Sequence, residues 1–97
     1  MHAKATTHMP NPEPFPKGDV RRLLALALAI ADEDRATLTT LSARTGHHKQ
    51  TIQDDVEKLR DQLGIVIEKD GPVYHLVSWG PVIKQTGLRK FLLGQFI

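Results

Sequence analysis

The sequence predicts an α+β fold: a three-helix core, a β-hairpin and a further C-terminal helix. Three observations predict it. Residues 36–64 contain two apolar patterns with helical spacing, each closed by a glycine. Residues 65–77 then switch to β-branched and aromatic residues, interrupted by Asp70-Gly71-Pro72. Helical patterns flank this block on both sides, with Leu23, Leu26, Ala27 and Ile30 before it and Leu88, Phe91 and Leu92 after it.

In chain order, the first 18 of the 97 residues differ from the rest. They hold Pro10, Pro12, Pro14 and Pro16 and few apolar residues. Alternate prolines remove backbone donors and disfavour a helix, so residues 1–18 read as an extended, mobile arm. A domain of residues 19–84 follows, then a C-terminal helix in residues 85–97. Helix 1 is expected to start after Asp19 and end near Asp32, burying Leu23, Leu26, Ala27 and Ile30. Asp32-Glu33-Asp34 reads as a solvated acidic exit. Acid at a helix C-terminus opposes the helix dipole, so no stabilising role is expected there.

Thr37 is the expected cap of helix 2, its hydroxyl accepting from an otherwise unpaired N–H. Leu38 and Leu41 share the inner face of that helix. Gly46 stands where the chain must turn sharply into positive φ, which glycine enters without a Cβ penalty. Helix 3 carries Ile52, Val56, Leu59 and Leu63 as one apolar stripe. Gly64 stops it. Ile65, Val66 and Ile67 favour extended structure, giving a hairpin from Ile65 to Val77. Gly80-Pro81 marks another turn, after which Val82-Ile83 either adds a third strand or packs back. Trp79 reads as a core or dimer anchor. Thr86 is the expected cap of the last helix, Gly87 to about Gln95.

Helix, glycine turn, helix and hairpin in this order form a winged helix-turn-helix, which sets its third helix in the DNA major groove with the hairpin beside it. Leu41, Gly46, Thr51-Ile52, Asp55, the run Lys58-Leu59-Arg60-Asp61, Leu63-Gly64 and the Gly71-to-Leu76 segment with Tyr74 carry a family likeness. Residues 20 to about 84 resemble the N-terminal domains of biotin-operon repressors and DeoR-type regulators. The resemblance implies a DNA-binding fold with helix 3 as the reader, and it names no operator or effector. The chain departs from the pattern at Ser42, Thr45, His47, Gln53 and Asp54. His48 stands where such repressors usually cap with Ser.

Lys49, Gln50 and Gln53 are the expected base readers, because they fall in the first turns of helix 3. Gln pairs bidentately with adenine, and Lys donates to guanine acceptors. His48 and Thr51 flank them. Thr39, Thr40 and Arg44 are expected to position the domain on the DNA backbone, and Lys69 is the main cation of the wing. Two-fold operators call for a dimer. The apolar C-terminal residues Leu88, Phe91, Leu92, Phe96 and Ile97 either pack on helix 1 or form that contact, and a homodimer is the expectation.

Net charge is +2. The ends are basic, whereas residues 32–74 carry nine acidic and six basic side chains. Helix 3 sets Lys49, Lys58 and Arg60 against Asp54, Asp55, Glu57 and Asp61. That acidity supports an alternative, a winged-helix adaptor that binds another protein and no DNA. Surface potential separates the two. Arg21, Arg22, Arg44, Lys49 and Lys69 on one face favour DNA, and outward Asp54, Glu57 and Asp61 with no basic rim favour the adaptor.

No catalytic activity, cofactor or metal is expected. There are no cysteines, so disulfides and thiol chemistry are excluded. His47 and His48 diverge at a helix start, with His75 the only other histidine outside the arm. Asp54 and Asp55 point about 100° apart on a helix and do not share a substrate. One of them is expected to pair with Arg44 or Lys58. No phosphate-binding loop, nucleophile elbow or cofactor fingerprint is present. The apolar run Leu23 to Ala31 is too short to span a bilayer, and the polar, proline-rich N-terminus does not read as a signal peptide. The expected setting is the cytoplasm of a bacterium, with a phage or plasmid origin also open.

Overall fold

The computed structural model describes residues 15, 16 and 18–94. Most of the expected arm therefore lies outside the described residues. Of its last part, the Phe15 ring lies under the Arg21 guanidinium, 4.8 Å from it.

Helix α1 (Val20–Asp32) begins where the Asp19 carboxylate accepts the Arg21 N–H at 2.9 Å. Helix α2 (Leu38–Thr45) begins with a reciprocal cap. The Thr40 N–H donates to Thr37 Oγ1 at 3.1 Å, and the Thr37 N–H donates to Thr40 Oγ1 at 2.9 Å. Gly46 ends α2 in the left-handed region, at φ +81°. Helix α3 (Lys49–Leu63) ends at Gly64. There the Gly64 N–H returns to the Arg60 carbonyl, the 5→1 bond of a left-handed glycine cap, and the Ile65 N–H bonds the Leu59 carbonyl.

Strands β1 (Val66–Asp70) and β2 (Val73–Ser78) pair antiparallel around the Gly71-Pro72 turn, with Ile67 opposite Leu76 and Lys69 opposite Tyr74. Helix α4 (Gln85–Gly94) closes the described chain. Among the described residues, four helices and a two-stranded antiparallel sheet make an α+β layout compatible with a winged helix.

α1 has two apolar faces, and the fold is built on both. Leu23, Leu26, Ala27 and Ile30 enter the main core with Ala36, Leu41, Ile52, Leu59, Ile65 and Tyr74. Leu24 and Leu28, one turn apart on another face, meet Leu88 and Leu92 of α4. Leu63, Trp79 and Ile83 pack against both clusters and join them. Burying Leu88 and Leu92 contributes about 1.5–3 kcal/mol each relative to exposure. Trp79 is thus a core anchor.

Some local expectations shift. Val82 and Ile83 form no strand: Val82 lies exposed in a turn, and Ile83 packs inward. The extra pairing partner of β2 is instead Ala36, whose carbonyl accepts the Tyr74 N–H at 2.8 Å. α4 begins at Gln85, so Thr86 lies inside it. The Leu88 N–H already bonds the Lys84 carbonyl at 2.9 Å, directly after Ile83 anchors the chain in the core.

The acidic exit from α1 proves to be a junction. Asp32 accepts both ends of the Arg89 fork at 2.9 and 3.1 Å, tying α1 to α4. Glu33 accepts Arg44 at 2.7 Å, tying it to α2. Cations brought in from two other helices offset the unfavourable dipole term. Arg89 holds the Asp32 carboxyl below the usual carboxylate range, chiefly by hydrogen bonding. Among the described residues no helix is long and apolar enough to cross a membrane.

Candidate functional site

The outward start of α3 is the candidate site, and the turn before it is pinned by side chains. Ser42 Oγ donates to the His47 carbonyl at 2.7 Å. Thr45 Oγ1 donates to the Leu41 carbonyl at 2.8 Å and accepts the His47 N–H at 3.2 Å. Ser42 and Thr45 thus hold the turn that leads into α3.

Ile52, Asp55 and Leu59 form the buried side of α3. His48, Lys49 and Gln50 are exposed, whereas Thr51 and Gln53 are half-buried. His48 occupies the N-cap position without making a side-chain cap bond. The first α3 N–H groups therefore lack a side-chain cap, and such groups suit an anion. The helix carries no acidic residue before Asp54. Gln50 Nε2 donates to Asp54 Oδ1 at 3.1 Å, so one expected base reader is held along the helix.

The remaining expected contacts have divided roles. Thr39 is exposed. Thr40 is engaged in the α2 cap, and its hydroxyl also reaches the Arg35 and Thr37 carbonyls at 3.2 and 3.1 Å. Arg44, 42% exposed, lies between Glu33 and Asp32 at 2.7 and 4.0 Å. An exposed pair of this kind is worth about 0–1 kcal/mol and holds the guanidinium only loosely. Lys69 is exposed on β1, its ammonium 5.4 Å from the Tyr74 ring centroid. In the C-terminal segment Leu88 and Leu92 are engaged by α1, whereas Phe91 is 51% exposed. Phe96 and Ile97 lie outside the described residues.

The partner of Asp55 is neither Arg44 nor Lys58 but Arg22. Arg22 Nε donates to Asp55 Oδ2 at 2.9 Å, and Nη2 donates to Oδ1 at 2.8 Å. The side chains are 6% and 2% exposed. Arg22 is therefore not one of the surface cations that the basic-face expectation names. Periodicity held a signal. Arg22 shares a helical face with Leu26 and Ala29, and Asp55 shares one with Ile52 and Leu59. Two opposite charges, each on a buried stripe, fit a buried pair.

His47 sits half-buried beside this pair, and burial and the Arg22 charge lower its pKa below 6.5 despite the opposing effect of Asp55. A cleft of about 390 Å³ opens over the pair between α1 and α3, rimmed by Thr51, Asp54, Glu57, Lys58 and Asp61. The outer surface of α3 thus changes along its length, from uncharged and basic at the start to mixed charge from Asp54 onward, where Asp54, Glu57 and Asp61 are interspersed with Lys58 and Arg60. No protein-family model, curated protein or solved structure matches this chain.

Proposed function

We propose that this chain is a small winged helix-turn-helix transcriptional regulator, a repressor that binds double-stranded DNA as a homodimer with α3 in the major groove. The observation that carries the reading is the start of α3. Lys49, Gln50 and Gln53 stand within its first turns, ahead of any acid, on a helix whose N-terminal donors lack a side-chain cap. Lys and Gln carry the donors and acceptors that read guanine and adenine edges. Free N–H groups at a helix start suit a phosphate. Lys69 on the hairpin suits flanking phosphate. The resemblance to biotin-operon and DeoR-type repressors points the same way. Thr39 and Arg44 take the backbone-positioning role, with Thr40 supporting them through the α2 cap. Since α1 engages Leu88 and Leu92, the dimer contact falls to Phe91 with Phe96 and Ile97.

A second reading, a protein-binding adaptor, has its own support. Arg21, Arg22 and Arg44 are all engaged with carboxylates of the same chain, and Asp54, Glu57 and Asp61 are exposed. Selection of a preferred site from a randomised duplex library tests the two, followed by anisotropy titrations at two salt concentrations. The DNA reading expects a defined consensus. It also expects Lys49→Ala, Gln50→Ala and Gln53→Ala each to lose about 1–3 kcal/mol of discrimination at a base they contact. Equal, weak binding to every duplex refutes it and favours the adaptor.

A further inference from the structure

We infer that Arg22 and Asp55 are positioning residues for sequence recognition: their buried fork fixes the rotation of α3 and thereby the selectivity of Lys49, Gln50 and Gln53. The inference rests on the DNA-binding reading above and adds to it two residues that touch no DNA.

Stability does not account for the pair. Removing two charges from water is costly, and well-packed apolar residues of similar volume are often as good or better at such a position. The surroundings are suited to that replacement, because Leu23, Leu26, Ile52 and Leu59 already form an apolar interface between α1 and α3. What apolar contacts lack is direction: hydrophobic burial is non-directional and tolerates rotation of one helix on another. A guanidinium–carboxylate fork with both bonds made does not, since its two parallel bonds require alignment in distance and in plane. Here both bonds are made, at 2.8 and 2.9 Å, between residues 33 apart in the chain.

The placement suits control of the reading residues. Asp55 follows Gln53 by two positions and Lys49 by six, so at 1.5 Å per residue it acts about 3–9 Å along the axis from the readers. Side-chain tips lie about 5–6 Å from a helix axis. A rotation of about 20° therefore moves them by about 2 Å, beyond the roughly 0.5 Å within which a binding constellation must be held. The other end of the reading segment is fixed independently by the Ser42 bond to the His47 carbonyl. Turn and fork together define both the entry point and the roll of the helix. Losing the fork should thus remove discrimination while leaving charge-driven attraction, which depends on Lys49, Lys69 and the helix start.

The test uses the full chain, the preferred duplex selected for the wild type and a scrambled duplex of equal length. Arg22→Met with Asp55→Leu replaces the pair by apolar residues, and Arg22→Lys keeps the charge but not the fork. Circular dichroism and urea unfolding establish that each variant is folded. The expected result is a fall of at least about tenfold in the ratio of affinities for selected and scrambled duplex, the scale of a lost bidentate base contact. Affinity for scrambled duplex at low salt should stay within about threefold, because it depends on phosphate contacts. An unchanged ratio in a folded variant overturns the inference and leaves the DNA reading standing. Loss of cooperative folding in both variants makes the pair a stability requirement and overturns it too. A wild-type chain with no preferred duplex overturns the DNA reading and the inference together.

Discussion

Gly80→Ala is expected to be more damaging than the same change at Gly18, Gly64, Gly71 or Gly87. Gly80 lies in the turn after β2 at φ +77°, a conformation that costs an L-residue with a Cβ about 1–2 kcal/mol. The new methyl would also run into the Gly64 carbonyl: it meets the oxygen first, with the carbonyl carbon at 2.8 Å and the Leu63 oxygen at 3.3 Å. This obstacle is backbone, not a side chain that can rotate away. It is held by the two hydrogen bonds that close α3, from Gly64 to Arg60 and from Ile65 to Leu59. Displacing packed backbone adds about 1–3 kcal/mol, for a total of about 2–5 kcal/mol. In a domain of this size that lowers Tm by roughly 10–30 °C. Gly87→Ala is the control. Gly87 lies within α4 with nothing within 4 Å of an added Cβ, so alanine should stabilise by about 0.5–1 kcal/mol. Thermal and urea unfolding by circular dichroism measure both. A Gly80→Ala chain within about 1 kcal/mol of wild type would show that the hairpin base shifts away from α3 freely, and the steric reasoning would be wrong.

Further expectations follow from the same geometry. Asp55→Ala strands the Arg22 guanidinium in the interior and should cost about 3–5 kcal/mol, against about 0–1 kcal/mol for Arg60→Ala at its exposed pair with Asp61; urea midpoints compare them. Thr37→Ala removes half of the reciprocal α2 cap and should cost about 1 kcal/mol, read as a lower Tm. Leu92→Ala opens the second cluster and should cost about 2–5 kcal/mol, whereas Phe91→Ala should leave unfolding nearly unchanged and, if Phe91 forms the dimer contact, shift sedimentation towards monomer. His47 has a lowered native pKa, so between that value and 6.5 the unfolded chain binds more protons than the folded one. Stability should fall as pH drops through that window. His47→Gln should flatten the fall when Tm is compared between neutral and mildly acidic buffer.

What was legible in the sequence was local. The α1 limits, the Thr37 cap, the left-handed Gly46 and Gly64 and the hairpin turn each depend on a few neighbouring residues, and each lies where the residues place it. The second apolar face of α1 was harder to see, because in Leu-Leu-Ala-Leu-Ala-Leu-Ala-Ile almost any stripe looks apolar. Only α4, some 60 residues later, selects Leu24 and Leu28. Long-range charge pairing was legible only in part, for a similar reason: periodicity put Arg22 and Asp55 on buried stripes but did not pair them. Asp55 had Lys58 and Arg44 nearby in sequence, and nothing local indicates that α1 crosses α3 with Arg22 facing it. The same holds for Asp32 and Arg89. Within the candidate site, the exposed start of α3 followed from helical period, whereas the engagement of Thr40, Gln50 and Arg44 by their own chain depended on side-chain bonds that periodicity does not specify.

The doubly apolar character of α1 bears on how the chain reaches its fold. Among the described residues, the core partners of this helix lie later in the chain: Leu41 in α2, Ile52 and Leu59 in α3, Tyr74 in β2, Leu88 and Leu92 in α4. Its first neighbour in sequence, the α1–α2 junction, covers only part of one face. Until α3 and the hairpin arrive, a run of leucines and alanines has no core to enter, and until α4 docks the second face stays wet. Loop closure over these separations precedes the contacts that reward it. Assembly of this fold therefore converges on α1 late and from several directions, and any delay between the third helix and the last leaves Leu24 and Leu28 available to another chain.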